Sequence, residues 1–405
     1  MTQLFKKFES LATRHAAVVA SLGTDPFGVE VDHVLSATEA VINGQTKLHL
    51  GSNNYLGLSF DDEAIEASCQ ATQSQGVGTT GSRAANGGFA AHRLLEREIA
   101  RFYNRRKAML FTTGYQGNVG FLGTIAGKDD VILIDADSHA SIYDACKLGD
   151  ATVLHFKHND PKDLERRLRR LPADRNTLVV TEGLFSMLGD RAPLADLVAV
   201  AKKYDAAVAV DEAHSMGVLG AHGRGLAEAA GVEDEVDFIL GTFSKSAGAI
   251  GGFCVSNHEQ LDSLRLAARA YLFTASLPPS VVASVTANLR RIRRAPELMA
   301  RLWENAHFLY SGLQSLDLPL GPEPGPVIAI RMPDIETGLA SWKALLDAGI
   351  YINLAALPAV PGGGCLLRCS VNAAHSRQQL EHALNVFREC LTATGLIVSA
   401  KNAAG

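Results

Sequence analysis

The sequence predicts an α/β fold, with a mostly parallel sheet of seven strands between helices and a smaller C-terminal α+β domain. From residue 107, longer polar or amphipathic stretches separate seven short apolar runs: KAMLFT, DVILID, ATVLHF, TLVVTE, AAVAVD, DFILGT and GGFCVS. Runs such as residues 131–134 and 206–210 are continuously apolar, as strands covered by helices on both faces must be. After Pro278 and Pro279 the sequence becomes charged and helical, with short strand-like runs PVIAIRM and CLLRCS further on.

Three segments follow from these patterns. Residues 1–50 are predicted to form an N-terminal arm and a hairpin, because Asn43 and Gly44 between two apolar runs are a strong signal for a type I′ turn. Residues 51–285 are predicted to form the large domain that contains the sheet. Residues 286–405 are predicted to form the small C-terminal domain, joined to the large one by a long helix that starts near residue 280.

Composition excludes several classes of protein. A chain of 405 residues, 47% of them hydrophobic and 20% charged, can bury a core, unlike a disordered or disulfide-stapled protein. Lys and Arg number 38 against 43 Asp and Glu, so no nucleic-acid partner is expected. Scattered cysteines indicate reduced thiols, and Cys365 and Cys369, the only close pair, lack the further ligands of a zinc site, so no metal is expected.

The N-terminal segment has an amphipathic pattern. Leu4, Phe5, Phe8 and Leu11 recur at helical spacing, and charges interrupt the segment before a signal-peptide core could form. No apolar run approaches the roughly 20 residues needed to span a bilayer. A cytoplasmic location is therefore expected. The alternatives for this helix are packing on its own domain, packing on a partner subunit and contact with the inner face of the cell membrane.

Polar residues follow five of the predicted strands at the point where each strand ends. They are TTGY (112–115), DADSH (135–139), EG (182–183), DEAH (211–214) and TFSK (242–245). Since the carboxyl ends of parallel strands meet at one edge of a sheet, these residues are expected to lie together. That edge is the predicted site of function.

Lys245 is the first candidate for chemistry at that edge. It lies in GTFSKSAGAIGGF, directly after a strand and before a glycine-rich stretch. A lysine becomes a Schiff-base nucleophile when partial burial lowers its pKa and the nearby backbone admits a flat aldehyde cofactor. Thr242 and Ser244 could donate hydrogen bonds to the phosphate of such a cofactor. In isolation, a lysine in a loop rich in Ser and Gly is more often simply solvated.

Further candidates stand at other strand ends. Asp211 after a buried strand needs a cationic partner, such as a protonated pyridine nitrogen, or a helix-capping role, and His214 follows it closely. His139 in DADSHASIYD could stack on a cofactor ring, although a lone histidine is usually an ordinary residue. Gly114 and Tyr115 open a helix, whose N-terminus favours a phosphate.

The order of phosphate-binding turn, aromatic stacker, Asp and Lys, each after a separate strand, resembles the fold type I pyridoxal-phosphate enzymes. Within them, residues 45 to 370 are similar to the α-oxoamine synthases, which condense glycine, alanine or serine with an acyl thioester. The motifs that carry this resemblance are GSNNYLGL, GSRAANG, FTTGYQGN, SHASIYD, TEGLFSMLGD, DEAHSMGVLGAHGRG and GTFSKS. The resemblance implies a fold type I PLP-dependent transferase with pyridoxal 5′-phosphate (PLP) bound in the large domain.

The lysine motif resembles that of the serine-using members of this family. GTFSKS is followed by FTASLPPSVVA, whereas glycine- and alanine-using members usually have Leu-Gly-Lys around the lysine. The resemblance implies condensation of L-serine with a long-chain acyl-CoA or acyl carrier protein, with loss of CO₂, to a 3-keto long-chain base, the first step of sphingolipid biosynthesis. It also implies a homodimer with shared active sites.

The same resemblance assigns roles to individual residues. Lys245 would form the Schiff base and then act as general base, Asp211 would hold the pyridinium, and His139 would stack on the ring and meet the substrate. His214 would bond the phenolic oxygen of the cofactor. The residues expected around the phosphate are Gly114, Tyr115, Thr242, Ser244 and Thr274, the last reaching it from the neighbouring subunit.

Substrate binding is assigned to Arg368, which would pair with the amino-acid carboxylate, and to Asn54. Two departures from the family pattern bear on it: Thr80 stands where well-known bacterial relatives have Asn, and Ala356 stands where relatives have an Arg in a mobile loop. Carboxylate binding should therefore fall more heavily on Arg368. The open alternatives are a synthase of 2-amino-3-ketobutyrate, 8-amino-7-oxononanoate or a signalling α-aminoketone, and a non-catalytic partner subunit, against which Lys245 argues.

Overall fold

The computed structural model describes residues 3–172, 174–356, 360 and 363–397. The chain forms two compact units. The larger unit consists of Asn53–Glu304 with Asn372–Ala374, and the smaller unit consists of Met1–Ser52, Asn305–Val371 and His375–Gly405.

Strands and helices alternate through most of the described chain. The strands are β1 (His33–Val34), β2 (Glu39–Ile42), β3 (Gln45–His49), β4 (Lys107–Phe111), β5 (Val131–Asp135), β6 (Thr152–Phe156), β7 (Thr177–Glu182), β8 (Ala207–Asp211), β9 (Phe238–Thr242), β10 (Gly252–Ser256), β11 (Val327–Met332), β12 (Ile350–Tyr351), β13 (Asn353–Ala356) and β14 (Cys365–Ser370). The α-helices are α1 (Glu9–Leu22), α2 (Asp62–Gln75), α3 (Ala90–Phe102), α4 (Gly114–Ile125), α5 (Ala140–Leu148), α6 (Pro161–Leu168), α7 (Leu194–Lys203), α8 (Leu226–Ala229), α9 (Arg269–Leu272), α10 (Pro279–Arg294), α11 (Pro296–Gln314), α12 (Ile335–Asp347) and α13 (Arg377–Ala393). Short 3₁₀ segments cover Gln3–Phe8, Leu58–Phe60, Glu233–Glu235 and Glu259–Leu266.

The larger unit is built on a seven-stranded sheet with the order β4-β10-β9-β8-β7-β5-β6. The neighbours from β9 to β6 pair in parallel, and β10 runs antiparallel to both β9 and β4. Each of the seven apolar runs in the sequence forms one of these strands. The predicted mostly parallel sheet between helices is confirmed.

The central strands of this sheet are buried on both faces, which explains why their sequences do not alternate. Every residue of β5, β9 and β10 is buried, whereas the edge strand β6 keeps exposed positions. Apolar side chains of the strands pack with Phe121 of α4 and Ile142 of α5 in one core. Burying such a side chain contributes about 1.5–3 kcal/mol. Burial of these side chains therefore stabilises the sheet between its helices.

The smaller unit contains two sheets, β1-β2-β3-β12 and β11-β14-β13. The hairpin of β2 and β3 turns at Asn43 and Gly44, whose φ angles of 52° and 69° are positive, as the predicted turn requires. Trp342 of α12 and Phe387 of α13 are fully buried in the core of this unit.

The compact units divide the chain differently from the predicted segments. The first 52 residues belong with the C-terminal part, because β12 pairs with β3 in one sheet. Helix α10 belongs to the larger unit, where it packs on α2 and α3. The long helix expected from residue 280 is two helices, since α10 ends at Arg294 and α11 begins at Pro296. A proline has no N–H to donate and disfavours the helical conformation of the residue before it.

The N-terminal segment is helical, as its spacing predicts. It is a 3₁₀ segment over Gln3–Phe8 and continues as α1, and neither part has a buried residue. Within the described ranges, no helix combines the length and the apolar character that crossing a membrane requires.

Candidate active site

The polar strand ends lie along one edge of the seven-stranded sheet. Phe111 is opposite Gly252, and Gly252 is opposite Thr242, so β4 and β9 end side by side with the start of β10 between them. Glu182 is opposite Asp211 on the neighbouring pair of strands. The parallel strand β5 ends at the same edge. This is the arrangement that the sequence predicted for these residues.

The first turn of α4 and the end of β9 form a corner suited to an anion. The Oγ1 of Thr113 accepts a hydrogen bond from the backbone N of Gln116 at 3.0 Å and so caps α4. Gly114 touches Thr242 too closely for any larger residue. The Oγ1 of Thr242 lies 2.8 Å from the Oγ of Ser244. The N–H groups and the dipole of the helix N-terminus favour a phosphate beside these hydroxyls.

Tyr115 and Thr274 lie at the same corner in different ways. The hydroxyl of Tyr115 donates to Oδ2 of Asp144 in α5 at 2.5 Å, so this side chain points along the helix surface. Only its backbone N–H is available to the corner. Thr274 accepts a hydrogen bond from Nε2 of Gln116 at 3.3 Å within the same chain. The role of Thr274 across a subunit boundary stays a prediction.

A chain of hydrogen bonds joins Asp211 to His139. Oδ2 of Asp211 accepts from Nδ2 of Asn118 at 2.8 Å, and Oδ1 accepts from the backbone N of Ala213 at 2.9 Å. Nδ2 of Asn118 also donates to Oγ of Ser141 at 2.9 Å. That hydroxyl lies 2.7 Å from Nδ1 of His139, which precedes α5. Two of the predicted site residues therefore belong to one network.

Lys245, Glu182 and His139 are the ionisable groups that act on one another in this part of the site. Burial lowers the pKa of His139, while the charge of Asp211 opposes this shift and the charge of Lys245 adds to it. The backbone N of His139 donates to Oε1 of Glu182 at 2.5 Å. Burial raises the pKa of Glu182 well above its ordinary value, Asp211 adds to the shift, and the His139 N–H and Lys245 oppose it. The charge of Lys245 thus contributes to the pKa shifts of both groups.

The loop after β8 is fixed by buried polar contacts. Nδ1 of His214 lies 2.7 Å from the hydroxyl of Tyr55, and both residues are buried. Glu212 accepts hydrogen bonds from the backbone N of Leu226 at 2.9 Å and of Ala227 at 2.8 Å, at the start of α8. Burial raises the pKa of Glu212 to about 7. The loop thus holds His214 in place beside Asp211.

The remaining predicted residues are less closely tied to this edge. Nδ2 of Asn54 donates to Oγ of Ser59 at 2.6 Å and closes a turn in the larger unit. Arg368 is buried in β14 of the smaller unit, where its Nη1 donates to Oγ of Ser370 at 3.0 Å. Ala356 ends β13, and residues 357–359 and 361 of the loop expected to be mobile lie outside the described residues.

Sequence reasoning missed several residues of the site. Asn118, Ser141 and Tyr55 were inside the recognised motifs, but their side-chain partners were not predicted. Asn118 stands four residues after Gly114 and so on the same face of α4, and this spacing is the signal that could have found it. Within the described ranges, no group of three or more His, Cys, Asp or Glu side chains is placed to hold a metal ion.

Comparison with known proteins identifies the family. A family model described as aminotransferase class I and II matches residues 45–387. The chain is 54% identical to a serine palmitoyltransferase of Caulobacter vibrioides, over 97% of this chain and 98% of that protein. A solved serine palmitoyltransferase of Sphingomonas wittichii has a TM-score of 0.96 at 49% identity, covering 98% of this chain and all (100%) of the other.

A solved serine palmitoyltransferase of S. paucimobilis, with a bound PLP–myriocin aldimine, also has a TM-score of 0.96, at 47% identity over 98% of this chain and 100% of that one. These likenesses confirm the resemblance to the serine-using branch that the lysine motif indicated. The chain belongs to the aminotransferase class I and II family, and its relatives over nearly its whole length are serine palmitoyltransferases.

Proposed function

We propose that the protein is a PLP-dependent acyltransferase that condenses L-serine with a long-chain acyl thioester. The products would be 3-oxosphinganine, CO₂ and the free thiol, as in the first step of sphingolipid biosynthesis. The observation that carries this proposal is the meeting of Asp211, His139 and Lys245 at one edge of the sheet. The 54% identity to the Caulobacter vibrioides enzyme supports the choice of substrates.

The residues at this edge fit the parts of the cofactor. Asp211 is 6% exposed, and among the described residues its oxygens accept hydrogen bonds from amide N–H groups and pair with no cation. Burying a carboxylate without a cationic partner costs free energy. The protonated pyridine nitrogen of PLP would be such a partner for Asp211. The hydroxyl of Thr242 donates to the O of Gly251 at 2.7 Å, so the N–H groups that begin at Gly114 and the hydroxyl of Ser244 are the donors proposed for the phosphate beside it. Lys245 suits the aldehyde carbon.

The proposed role of each residue follows from these positions. When bound, PLP supplies an electron sink for negative charge at the Cα atom of the amino acid. The Asp211 carboxylate would hold a proton on the ring nitrogen, and Nζ of Lys245 would take the proton from Cα. His139 would cover one face of the ring and exclude water from it. Orientation of this kind supplies up to about 7–11 kcal/mol of the barrier reduction.

Arg368 is proposed to bind the carboxylate of serine. A guanidinium presents two parallel N–H donors that match a carboxylate, and in β14 the hydrogen bond to Ser370 restricts its orientation. Position 356, the last residue of β13, is Ala and offers no guanidinium. Asn54 is proposed as a further substrate contact, supported by the family resemblance.

A homodimer with shared active sites is proposed on the evidence of an exposed apolar surface in the larger unit. Val77 is 83% exposed and Phe273 is 73% exposed, on the two segments that an isolated bridge between Ser82 and Ala275 brings together. Exposed apolar patches of this kind mark interfaces. Thr274 is adjacent to Phe273 and would approach the partner's site through this surface.

The N-terminal helix is proposed to bring a cytoplasmic enzyme into contact with the inner face of the membrane. Leu4, Phe5 and Phe8 are 78%, 60% and 49% exposed, and Lys6 and Lys7 lie between them. Apolar side chains with adjacent lysines bind anionic interfaces. Flotation with vesicles of phosphatidylglycerol and phosphatidylcholine should recover the protein. Loss of flotation in a Phe5→Ser, Phe8→Ser variant would support the contact, and failure of the unaltered chain to float would refute it.

Product mass spectrometry decides between the candidate activities. The purified holoenzyme is incubated with serine, glycine or alanine and with palmitoyl-CoA or a palmitoyl acyl carrier protein. The proposal predicts a 3-keto long-chain base from serine in excess over the products from the other amino acids. A glycine or alanine product in excess would identify another α-oxoamine synthase. A colourless protein that borohydride leaves unaltered would indicate a non-catalytic partner subunit.

A further inference from the structure

The side-chain amide of Asn118 connects two elements of the proposed cofactor site. Asn118 lies in α4, is 3% exposed, and its Nδ2 is 2.8 Å from Oδ2 of Asp211 and 2.9 Å from Oγ of Ser141. A primary amide carries two N–H donors, and here each has one acceptor. A flipped amide would place its oxygen against the Asp211 carboxylate, which is repulsive. The orientation of Asn118 is therefore set by the charge of Asp211.

This orientation sets the direction of the next hydrogen bond. The contacts of Ser141 Oγ among the described residues are Nδ2 of Asn118, which is a donor, and Nδ1 of His139, 2.7 Å away, so the hydroxyl proton is directed to Nδ1. The backbone N of Ser141 donates to the same Nδ1 at 3.2 Å. A ring nitrogen that accepts from two donors carries no proton, so the proton of a neutral imidazole must be on Nε2. Burial favours this neutral form, because it lowers the pKa of His139.

We propose that Asn118 and Ser141 are positioning residues that hold His139 as its Nε2–H tautomer and tie the orientation of its ring to the Asp211 carboxylate. The relevance to catalysis rests on the proposed function, in which His139 covers the cofactor ring and Asp211 holds its nitrogen. Both contacts to the cofactor would then be set by one network. Among the described residues Oδ1 of Asn118 has no hydrogen-bond partner, so the amide is held by its two N–H donors alone. Loss of one member of such a network disturbs the others.

The first test removes the hydroxyl of Ser141 and reads the tautomer directly. Protein labelled with ¹⁵N-histidine is stripped of cofactor, and the His139 signals are assigned by their loss in a His139→Gln variant. The unaltered chain should show a proton on Nε2 alone. Ser141→Ala loses the hydroxyl contact at 2.7 Å and keeps only the longer backbone N–H contact at 3.2 Å, so a fraction of the Nδ1–H tautomer should appear beside the Nε2–H form. Ser141→Thr keeps the hydroxyl and should restore the single tautomer. Ser341→Ala is the matched control, since Ser341 is equally buried and bonds Thr394 in the smaller unit.

The second test measures cofactor binding by absorbance titration of the same proteins. Ser141→Ala and Asn118→Ala should each weaken PLP binding by about 2- to 10-fold, the range of one lost hydrogen bond. The double variant should lose less than the product of the two factors, because both substitutions break one network. Ser341→Ala should bind as the unaltered chain does. If Asn118→Ala fails to fold, the comparison of Ser141→Ala with Ser141→Thr decides alone.

Two outcomes would overturn the inference. One is a proton on Nδ1 in the unaltered chain, and the other is an unchanged Nε2–H signal in Ser141→Ala. Failure of the proposed function is a separate result, because a chain that does not bind PLP can still show the His139 tautomer in the cofactor-free protein. If the protein does not bind PLP but shows only the Nε2–H form of His139, the result would support the hydrogen-bond network and refute the proposed role of His139 in covering the cofactor.

Discussion

A Cβ atom on residue 114 would stand 2.7 Å from the Cβ of Thr242 and 3.0 Å from its Oγ1. Carbon atoms in van der Waals contact are about 3.5–4.0 Å apart, so the chain at Gly114 tolerates no side chain. Glycine at this position keeps the start of α4 against the end of β9, where the phosphate is proposed to bind.

Gly114→Ala is therefore expected to weaken PLP binding by about 10-fold or more. Overpacking costs roughly 1–3 kcal/mol, and here it would push the helix N-terminus away from the hydroxyls of Thr242 and Ser244. Titration of the cofactor-free protein checks this. Gly127→Ala is the control, since its nearest neighbour would be Oδ2 of Asp130 at 3.8 Å. Equal affinities in the two variants would show that the corner does not hold the phosphate.

Lys245→Ala is expected to abolish product formation while leaving the fold intact. The lysine is proposed both to bond the cofactor and to accept the Cα proton, and a lost general base alone costs about 10²–10⁴ in rate. Turnover, circular dichroism and the mass in solution are the measurements. Lys203→Ala, on the surface beside Glu165, is the control. Activity above a trace in Lys245→Ala would remove the lysine from the mechanism.

Thr80→Asn is expected to stabilise the protein. Thr80 has a φ of 55°, in the left-handed region that a β-branched residue adopts at a cost of about 1–2 kcal/mol and that Asn tolerates better. The melting temperature should rise. Thr152→Asn is the control, because Thr152 is exposed on the edge strand β6, where Asn is unfavourable, and its melting temperature should fall. A fall in both variants would contradict strain at position 80.

His158→Gln is expected to destabilise the fold in a pH-dependent way. Burial lowers the pKa of His158, but hydrogen bonds of 2.8 Å to Asp135 and 2.7 Å to Asp190 outweigh it and raise the pKa to about 10. Because the pKa rises from about 6.5 on folding, the stabilisation is complete below about pH 6.5 and is lost as the pH rises through about 10.

The free energy of unfolding of His158→Gln should thus lie furthest below that of the unaltered chain near pH 6, and the gap should narrow towards pH 10. Urea titrations at several pH values measure it. His155→Gln, at an exposed position of β6, should show a small and constant gap. If the free energy of unfolding of His158→Gln also differed from that of the unaltered chain by the same amount at every pH, a protonated histidine between Asp135 and Asp190 would be excluded.

Phe273→Glu is expected to make the protein monomeric if it forms the proposed homodimer, since the substitution places a charge in the proposed apolar interface. Size-exclusion chromatography with light scattering measures the mass. Leu266→Glu changes another exposed apolar residue of the larger unit, 83% exposed, and should leave the mass in solution unchanged. A dimeric Phe273→Glu, or a dissociated Leu266→Glu, would place the interface elsewhere.

The backbone positions of the site could be predicted from the sequence because they depend on strand ends. Continuous apolar runs locate buried strands, and parallel strands bring Asp211, His139 and Lys245 to one edge whatever the details of packing. Side-chain contacts depend on distant parts of the chain. Asn118 meets Asp211 across 93 residues, and Tyr55 meets His214 across 159, and no local pattern encodes either pair.

Two local features also escaped prediction. Tyr115 lies in the expected turn, but its hydroxyl is directed to Asp144 by the helix surface that it occupies. The break between α10 and α11 was hidden because both sides of Pro296 have a helical composition. Pro296 is the residue from which the break could have been predicted.

The antiparallel strand β10 has a mechanical consequence for Lys245. The turn that carries the lysine leaves the sheet at Thr242 and re-enters it at Gly252, and these two residues are paired with each other. The backbone N of Phe243 also donates to the O of Gly251 at 3.0 Å. Within the turn, the backbone N of Gly248 donates to the O of Lys245 and that of Ala249 to the O of Phe243, so the main chain that carries the amine is restrained at its ends and across its middle. A restrained main chain would let Lys245 serve both proposed roles, cofactor bonding and proton transfer, through movement of its side chain.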